Sequence, residues 1–206
     1  MQVLFEDRDL IVCIKPAGVL STDEPGGVPS LLREQLGLRD VRTVHRLDRV
    51  VSGVMLLAKN TDSASELSRQ IREGGFDKSY LAVVHGQTEA RGAFTDLLWR
   101  DKAERKTYVV ERPDKGVQKA KLSYETLSRS GAMSLVRIRL LTGRTHQIRC
   151  QFSAHGFPLV GDKKTAWRRT AARSPSGPTA CVFSIPPAEK RCVFPLRRRS
   201  GSPGHT

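Results

Sequence analysis

Short apolar runs separated by polar turns dominate the pattern of the first 160 or so residues. The opening VLFEDRDLIVCIKP predicts two strands around a turn at Asp7–Asp9, and the apolar run from Gly53 to Lys59 predicts a buried strand. SYLAVVHG also has the length and apolar content of a strand, and SLVRIRL alternates arginine with apolar side chains, as a strand with one solvated face does. Further strands are predicted at 106–111 and 119–127, and the SLVRIRL strand extends over 134–141.

Three segments carry the signals of helices. PSLLREQLG has proline near its start and glycine at its end, which is the usual asymmetry of a short helix. Residues 61–73 place apolar side chains on one face, and the spacing of Ser63 and Glu66 fits a capping box. Residues 145–155 predict a third helix, which the glycine that follows would close.

The succession of elements predicts an α+β fold on a mostly antiparallel sheet. Strands are numerous, helices are interspersed, and several gaps have the length of hairpin turns, which disfavours a doubly wound parallel sheet. We assign residues 1–162 to one domain and residues 163–206 to a basic C-terminal segment. Within that segment, ACVFSI and RCVFPL are candidate closing strands, and the last ten residues are expected to fray.

Positive charge is the strongest signal in the composition. The 206 residues carry a formal charge of +14, and the isoelectric point is near 10.2. Residues 163–206 hold ten Lys or Arg residues and one acid, which gives +9 and leaves +5 for residues 1–162. Such an excess indicates a polyanionic partner, most commonly nucleic acid. The basic segment is either a solvated extension or an arm that contacts phosphates.

Several classes of protein and site are disfavoured. The four cysteines form no CxxC pair and the histidines lack metal-ligand spacing, so we expect no metal. We also expect no nucleotide cofactor, because glycine-rich phosphate loops, dinucleotide fingerprints and GxSxG are absent. The N-terminal stretch is acidic where a secretory signal is basic, and no apolar run approaches the roughly 20 residues of a membrane span. We therefore expect a reduced, cytoplasmic protein with no membrane partner.

The stretch HRLDRVVSG places one carboxylate, Asp48, in a loop beside His45, Arg46 and Arg49. A carboxylate close to arginine stays ionised, because the cation favours the charged form. Such a group suits nucleophilic attack or electrostatic stabilisation, whereas a general acid must carry a proton near neutral pH. The same composition also fits a solvated salt-bridge site, so the residues alone leave both interpretations open.

A second polar cluster, GRTHQIR, opens the predicted third helix. On a helix Arg144 shares a face with Ile148, and Thr145 shares one with Arg149. An arginine here can hold a carboxylate bidentately while Ile148 forms an apolar wall, or both arginines are surface residues and Ile148 is core. Tyr80, at the start of a strand, is either an edge packing residue or a ring that stacks on a base.

Taken in order, five segments resemble the motifs of RNA pseudouridine synthases of the RluA kind. They are KPAGV, HRLDRVVSG, LLAKN, KSYLAVVHG and GRTHQIRCQFSAHGFPLVGD, and they cover roughly residues 1–162. The resemblance implies an α+β catalytic fold, with a mixed, mostly antiparallel sheet flanked by helices and loops around a basic cleft. It further implies isomerisation of specific uridines to pseudouridine in structured rRNA or tRNA, without cofactor or metal.

The resemblance also implies roles for individual residues. Asp48 is the expected essential catalytic carboxylate, Arg144 the arginine that pairs with it, and Tyr80 the ring that stacks on the uracil. Arg46 resembles an arginine that assists in extruding the target nucleotide, and Ile148 an apolar residue beneath the base. The full set predicted to bind substrate or RNA is Arg46, His45, Ile148 and Arg149.

Two departures from the family pattern keep a second hypothesis open. Val51 stands where many relatives have threonine, and the run GDKKTA replaces GDxxYG, with Thr165 in the position of the tyrosine. A chain that kept the fold but lost catalysis would be an RNA-binding or remodelling module. We expect a monomer in either case.

Overall fold

A computed structural model describes residues 1–162 and the backbone of residues 183–185. The described elements, in chain order, are β1 (Gln2–Glu6), β2 (Leu10–Lys15), α1 (Val28–Leu36), β3 (Arg42–Thr43), β4 (Ser52–Ala58), α2 (Thr61–Arg72), β5 (Lys78–His85), β6 (Arg91–Asp101), β7 (Lys106–Val110), β8 (Gln118–Ser130), β9 (Met133–Leu140), α3 (Gln147–Ala154) and β10 (Phe183–Ile185).

All the described strands belong to one sheet. Its order is β1-β2-β4-β10-β5-β9-β8-β6-β7, and β3 pairs with β4 beside this path. β10 runs parallel to β4 and antiparallel to β5, and the other described pairings are antiparallel. The predicted α+β fold on a mixed, mostly antiparallel sheet is therefore confirmed.

Most predicted elements are present, and two helix starts differ for local reasons. The side chain of Asn60 accepts a hydrogen bond from the Ser63 backbone N–H at 2.9 Å, so Asn60 caps α2 and the predicted capping box is wrong. α3 begins at Gln147 rather than two residues earlier, because His146 adopts a left-handed conformation with φ 56°. A left-handed residue cannot continue a right-handed helix.

Two further differences concern strands. β6 was not predicted from the sequence, and its exposed and buried positions do not alternate cleanly. Backbone pairing with β7 and β8 stabilises this strand, and that pairing exists only in the folded chain. ACVFSI contains β10, as predicted. RCVFPL and the expected frayed end lie outside the described residues.

The main core lies against one face of the sheet. β5 buries Tyr80, Ala82 and Val84 on this face, while β9 turns Arg137 and Arg139 to the opposite, exposed face. α3 packs onto the same face through Phe152, whose ring is fully buried and lies 5.1 Å from Phe94 and 5.4 Å from Tyr124, centroid to centroid. Each such side chain contributes roughly 1.5–3 kcal/mol by leaving water. This packing fixes where the first turn of α3 lies.

β10 joins two halves of the sheet that have no other described pairing between them. Ser184 lies opposite Gly53 of β4 on one side and opposite Tyr80 of β5 on the other. β4 follows the loop that carries Asp48, and β5 carries Tyr80 itself. The short strand from the C-terminal segment therefore sets the spacing between two candidate site residues.

We predict that Ser184→Pro destabilises the protein, because proline removes a backbone donor from a strand with neighbours on both sides. The expected loss is on the order of 2–3 kcal/mol in the free energy of unfolding, measured by urea denaturation. Ser184→Ala is the matched control, with an expected change within about 1 kcal/mol. Equal stability of the two variants would contradict a central place for β10.

Candidate active site

One pocket collects all seven residues predicted from the sequence. Its volume is about 220 Å³, and the loop that precedes β4, the segment 143–149 and the start of β5 form its walls. The predicted residues among its lining are His45, Arg46, Asp48, Tyr80, Arg144, Ile148 and Arg149. Residues from three distant parts of the chain therefore meet at one site.

The Lys15 ammonium is hydrogen-bonded to the backbone of the Asp48 loop, residues 44–51. Lys15 is fully buried, and its Nζ donates to the carbonyls of Pro16 at 2.9 Å, Val19 at 2.8 Å and Arg49 at 3.3 Å. Burial lowers the pKa of this ammonium to about 8, against the opposing effect of the Asp48 charge. Because the three carbonyls come from both loops, one buried cation fixes the KPAGV segment against the residue that follows Asp48.

The residue that precedes Asp48 is fixed in the same way. The Ser21 hydroxyl donates to the Leu47 carbonyl at 2.7 Å and accepts from the Leu47 N–H at 3.0 Å. A backbone hydrogen bond of 3.0 Å from the Val51 N–H to the Asp48 carbonyl closes the turn. Asp48 is thus held on both sides by backbone contacts, which leaves its side chain to face the pocket.

Arg149 is the arginine that reaches Asp48. Its Nη1 lies 3.8 Å from Asp48 Oδ2, while its Nε and Nη2 donate to Asp162 at 2.7 and 2.6 Å. The Arg149 and Asp162 side chains are only 10% and 7% exposed, so this bidentate pair is shielded from water. Bidentate pairing fixes the plane of a guanidinium. Asp162 therefore aims Arg149 at Asp48.

The expected pairing of Arg144 with Asp48 is wrong. Arg144 lies before α3, is exposed, and donates from Nε to the Lys119 carbonyl at 3.2 Å. Among the described residues, the cationic side chains within 4 Å of the Asp48 carboxylate are Arg149 and, when protonated, His146. The later start of α3 explains the error, because residue 144 does not share a helical face with residue 148.

α3 is also held from its other side. The fully buried Gln151 donates to Asp96 of β6 at 2.6 Å, and the His155 ring lies 3.2 Å from the same carboxylate. With Arg149 bound to Asp162, the helix has polar anchors on opposite sides of its axis. These anchors restrict its rotation, and hence the direction in which Arg149 points.

The chain is similar to known proteins over most of its length. Residues 9–154 match the family described as RNA pseudouridylate synthase.

The chain belongs to this family.

Its relatives include enzymes named for ribosomal and transfer RNA. A Bacillus subtilis (strain 168) protein named an uncharacterized RNA pseudouridine synthase is 33% identical over 182 residues, covering 82% of this chain and 59% of that protein. Ribosomal large subunit pseudouridine synthase D of Borreliella burgdorferi is 34% identical over 177 residues, covering 78% and 53%. tRNA pseudouridine synthase C of Yersinia pestis is 31% identical over 179 residues, covering 79% and 69%. The chain thus spans less than two thirds of the first two relatives.

Solved structures show the same fold. Human RNA pseudouridylate synthase domain containing 1 superposes with a TM-score of 0.75 at 24% identity, covering 89% of this chain and 76% of that one. Human RNA pseudouridylate synthase domain containing 4 gives 0.67 at 25% identity, covering 82% and 73%. The predicted pseudouridine synthase fold is confirmed.

Within this pseudouridylate synthase fold, the His45 ring is hydrogen-bonded to the protein backbone. Its Nε2 accepts a hydrogen bond from the Leu56 N–H of β4 at 3.0 Å, which requires the neutral ring. Burial, and to a lesser extent the charge of Lys78, lowers the pKa of His45 to about 4. This nitrogen is therefore not available to RNA, and the contact favours a structural role over the predicted binding role.

Of the remaining predicted residues, two are buried in the walls of the pocket and two are exposed at its rim. Tyr80 and Ile148 are 9% and 7% exposed and supply apolar surface to the pocket. Burial, and then the Asp48 charge, raises the pKa of Tyr80 to about 12, so the phenol keeps its proton. Arg46 and Arg144 are exposed at the rim, where a phosphate can reach them.

Sequence reasoning assigned no role to three residues that shape the site. His146 brings Nε2 to 3.9 Å from Asp48 Oδ2, and burial lowers the pKa of its ring, against the Asp48 charge. Lys15 is the first residue of the KPAGV motif, but no local pattern predicted that it would be buried. Lys78 was detectable, because alternation along β5 places it on the same face as Tyr80.

Within residues 1–162 and 183–185, no helix is long and apolar enough to cross a membrane. In the same part of the chain, no three His, Cys, Asp or Glu side chains are grouped so that they could hold a metal ion.

We predict that Arg149→Met destabilises the protein by about 3 kcal/mol, because it removes the guanidinium from the shielded Asp162 carboxylate. The matched control is Arg144→Met, which removes an exposed arginine and should change stability by less than about 1 kcal/mol. Urea denaturation at neutral pH measures both values. A larger loss for the Arg144 variant would contradict the shielded pairing of Arg149 with Asp162.

We also predict that the stability of the protein depends on pH through the titration of His45. The folded-state pKa near 4 lies below the ordinary value of 6.5, so between these values only the unfolded chain binds the proton. The contribution of His45 to the free energy of unfolding should therefore fall by up to about 3 kcal/mol as pH drops from 6.5 to 4, and should not change further below pH 4.

His45→Gln keeps an acceptor for the Leu56 N–H but cannot titrate. Denaturation of both proteins between pH 4 and 7 isolates the contribution of His45, since other groups affect both equally. Identical pH dependence of the two proteins would show that the ring is not buried as a neutral acceptor.

Proposed function

We propose that this protein isomerises specific uridines to pseudouridine in structured ribosomal or transfer RNA, with Asp48 as the essential catalytic carboxylate. The observation that carries the proposal is the position of Asp48, which faces the pocket 3.8 Å from a fixed guanidinium. Family membership supports the reaction class. The names of the relatives support both kinds of RNA.

The reaction requires a pocket for a base that has left its helix. The C1′–N1 bond of uridine breaks, the uracil turns, and a C1′–C5 bond forms. An enzyme reaches these atoms only when the nucleotide is extruded from the stack. The apolar surfaces of Tyr80 and Ile148 suit the faces of an extruded base, and the exposed Arg46 and Arg144 suit its flanking phosphates.

Arg149 forms an ion pair with the Asp48 carboxylate but no hydrogen bond to it. The strong hydrogen bonds of Arg149 go to Asp162, and the 3.8 Å separation from Asp48 is an ion pair rather than a hydrogen bond. An Asp48 oxygen therefore stays available to attack C1′, to stabilise positive charge there, or to accept a C2′ proton. In a partly buried site, electrostatic stabilisation of this kind is stronger than in water.

The proposal uses no cofactor and no metal, because the carboxylate and the cations around it are sufficient for each of these steps. A monomer that acts in the cytoplasm stays a prediction. So does the division into a catalytic domain at residues 1–162 and a basic segment at 163–206, although β10 adds backbone from that segment to the sheet.

A second candidate, an RNA-binding or remodelling module without catalysis, rests on the departures from the family pattern. Val51 lines the pocket and is 6% exposed, so a family hydroxyl is replaced by a methyl group at the site. Thr165 lies outside the described residues. Against this candidate, binding alone does not need a carboxylate, which repels the phosphates of RNA.

We predict that Asp48→Asn lowers the rate of pseudouridine formation by about three orders of magnitude or more, while RNA affinity changes only a few-fold. Asn keeps the shape of the side chain but removes the charge and the nucleophile. Carbodiimide-based pseudouridine mapping of total RNA, incubated with each protein, measures activity and locates the modified uridine.

Asp40→Asn is the matched control, because Asp40 pairs with Arg42 on the exposed surface and should not affect modification. Modification at the wild-type rate by the Asp48 variant would exclude a catalytic Asp48. RNA binding without modification by the wild-type protein would instead support the second candidate.

A further inference from the structure

Lys78 is a cation in the pocket with no partner among the residues that the structure describes. It lines the pocket from β5, two positions before Tyr80 and on the same face of the strand. Its ammonium makes no hydrogen bond or ion pair with any residue of 1–162, whereas Lys15, Arg149 and Arg144 all have partners there. A half-buried cation without a partner is costly, which suggests that a ligand supplies one.

The Lys78 ammonium lies away from the Asp48 carboxylate. A Cβ added to Gly143 would be 3.6 Å from Lys78 Nζ, which places the ammonium beside the loop that leads to α3. No ion pair within 4 Å joins Lys78 to Asp48, and the charge of Lys78 acts instead on His45. The pocket therefore has a negative group beside Arg149 and a separate positive group that forms no ion pair with it.

Breaking the glycosidic bond needs charges of both signs. When C1′–N1 breaks, its electron pair stays with N1, so the uracil departs as an anion whose charge spreads over N1, O2 and O4. The sugar is left electron-poor at C1′, where Asp48 can act. C5 then bonds to C1′, which gives a neutral base that still carries a proton on C5. That proton leaves to solvent and N1 takes one up, which yields pseudouridine. Every role open to Asp48 produces the same uracil anion, and a carboxylate cannot stabilise it.

We propose that Lys78 is a further catalytic residue, whose ammonium stabilises the uracil anion while the base turns from N1 to C5. This inference rests on the proposed function. An ammonium suits a moving ligand, because it is a compact charge with three donors on a flexible stem. It can follow O2 and O4 as the ring turns, whereas the rigid fork of a guanidinium favours one orientation.

The test compares leaving groups of different acidity. The target RNA located by mapping is prepared with uridine or 5-fluorouridine at the modified position, and single-turnover formation of the C5–C1′ bond is followed by chromatography and mass spectrometry. The fluorinated base has no C5 proton to lose, so its product keeps fluorine on C5 and adds water across C6 and N1, and the mass of this hydrated product is the one that is followed. On uridine RNA, Lys78→Met should lower the rate about 100-fold. On 5-fluorouridine RNA the deficit should shrink to about tenfold or less, because the fluorine itself stabilises the anion.

Two further variants serve as controls. Lys78→Arg keeps the charge and should recover part of the rate on uridine RNA. Lys121→Met removes an exposed lysine of β8 and should leave both rates unchanged. Thermal unfolding of Lys78→Met should match that of the wild type within a few degrees, since Lys78 has no bonded partner to lose among the described residues.

Three results would overturn the inference while leaving the proposed function intact. The first is an equal loss of rate on the two RNAs, which would indicate a structural role for Lys78. The second is a loss of RNA affinity alone, which would indicate a phosphate contact. The third is full activity of Lys78→Met. A wild-type protein that forms no pseudouridine would remove the proposed function and this inference together.

Discussion

The bidentate contact between Arg149 and Asp162 is the interaction on which the site depends. It is short and shielded, and it fixes the guanidinium in one plane with Nη1 directed at Asp48. A buried cation shared by two carboxylates is more strongly held by the one with the better geometry, which here is Asp162. The positive charge of Arg149 therefore stabilises the ionised Asp48, while both Asp48 oxygens stay free of hydrogen bonds to this arginine. A bidentate pair between Arg149 and Asp48 would occupy both oxygens.

Buried polar groups place the backbone around this contact. Lys15 binds three carbonyls beneath the Asp48 loop, and His45 accepts from the backbone of β4. Such groups are expensive to bury unless each is satisfied, so they define one arrangement of the loop rather than simply adding stability. The Gln151 amide nitrogen and Asp96 hold α3 from its other side, while Gln151 Oε1 has no hydrogen-bond partner among the described residues.

The distribution of charge in the pocket follows from this framework. Arg149 neutralises Asp48 in part, and Lys78 stands apart from both with no described partner. A site with separated charges matches a reaction that separates charge, because each pole stabilises one fragment of the broken bond. The sheet makes the separation possible, since β10 spaces the strand that follows Asp48 from the strand that carries Lys78 and Tyr80.

The sequence by itself determined the class of fold, the family and seven of the residues that meet in the pocket. These depend on residue identity and short-range periodicity, which the chain carries along its length: apolar runs and alternation predicted most of the strands, and motifs such as HRLDRVVSG predicted the seven residues. Only the tertiary structure decided that Arg149 rather than Arg144 reaches Asp48, that His45 serves the backbone, and that β10 lies within the sheet. Those outcomes depend on where a helix starts, and on contacts between segments far apart in the chain. A left-handed residue at His146 shifted the register of α3, and no local pattern in the sequence specified that conformation.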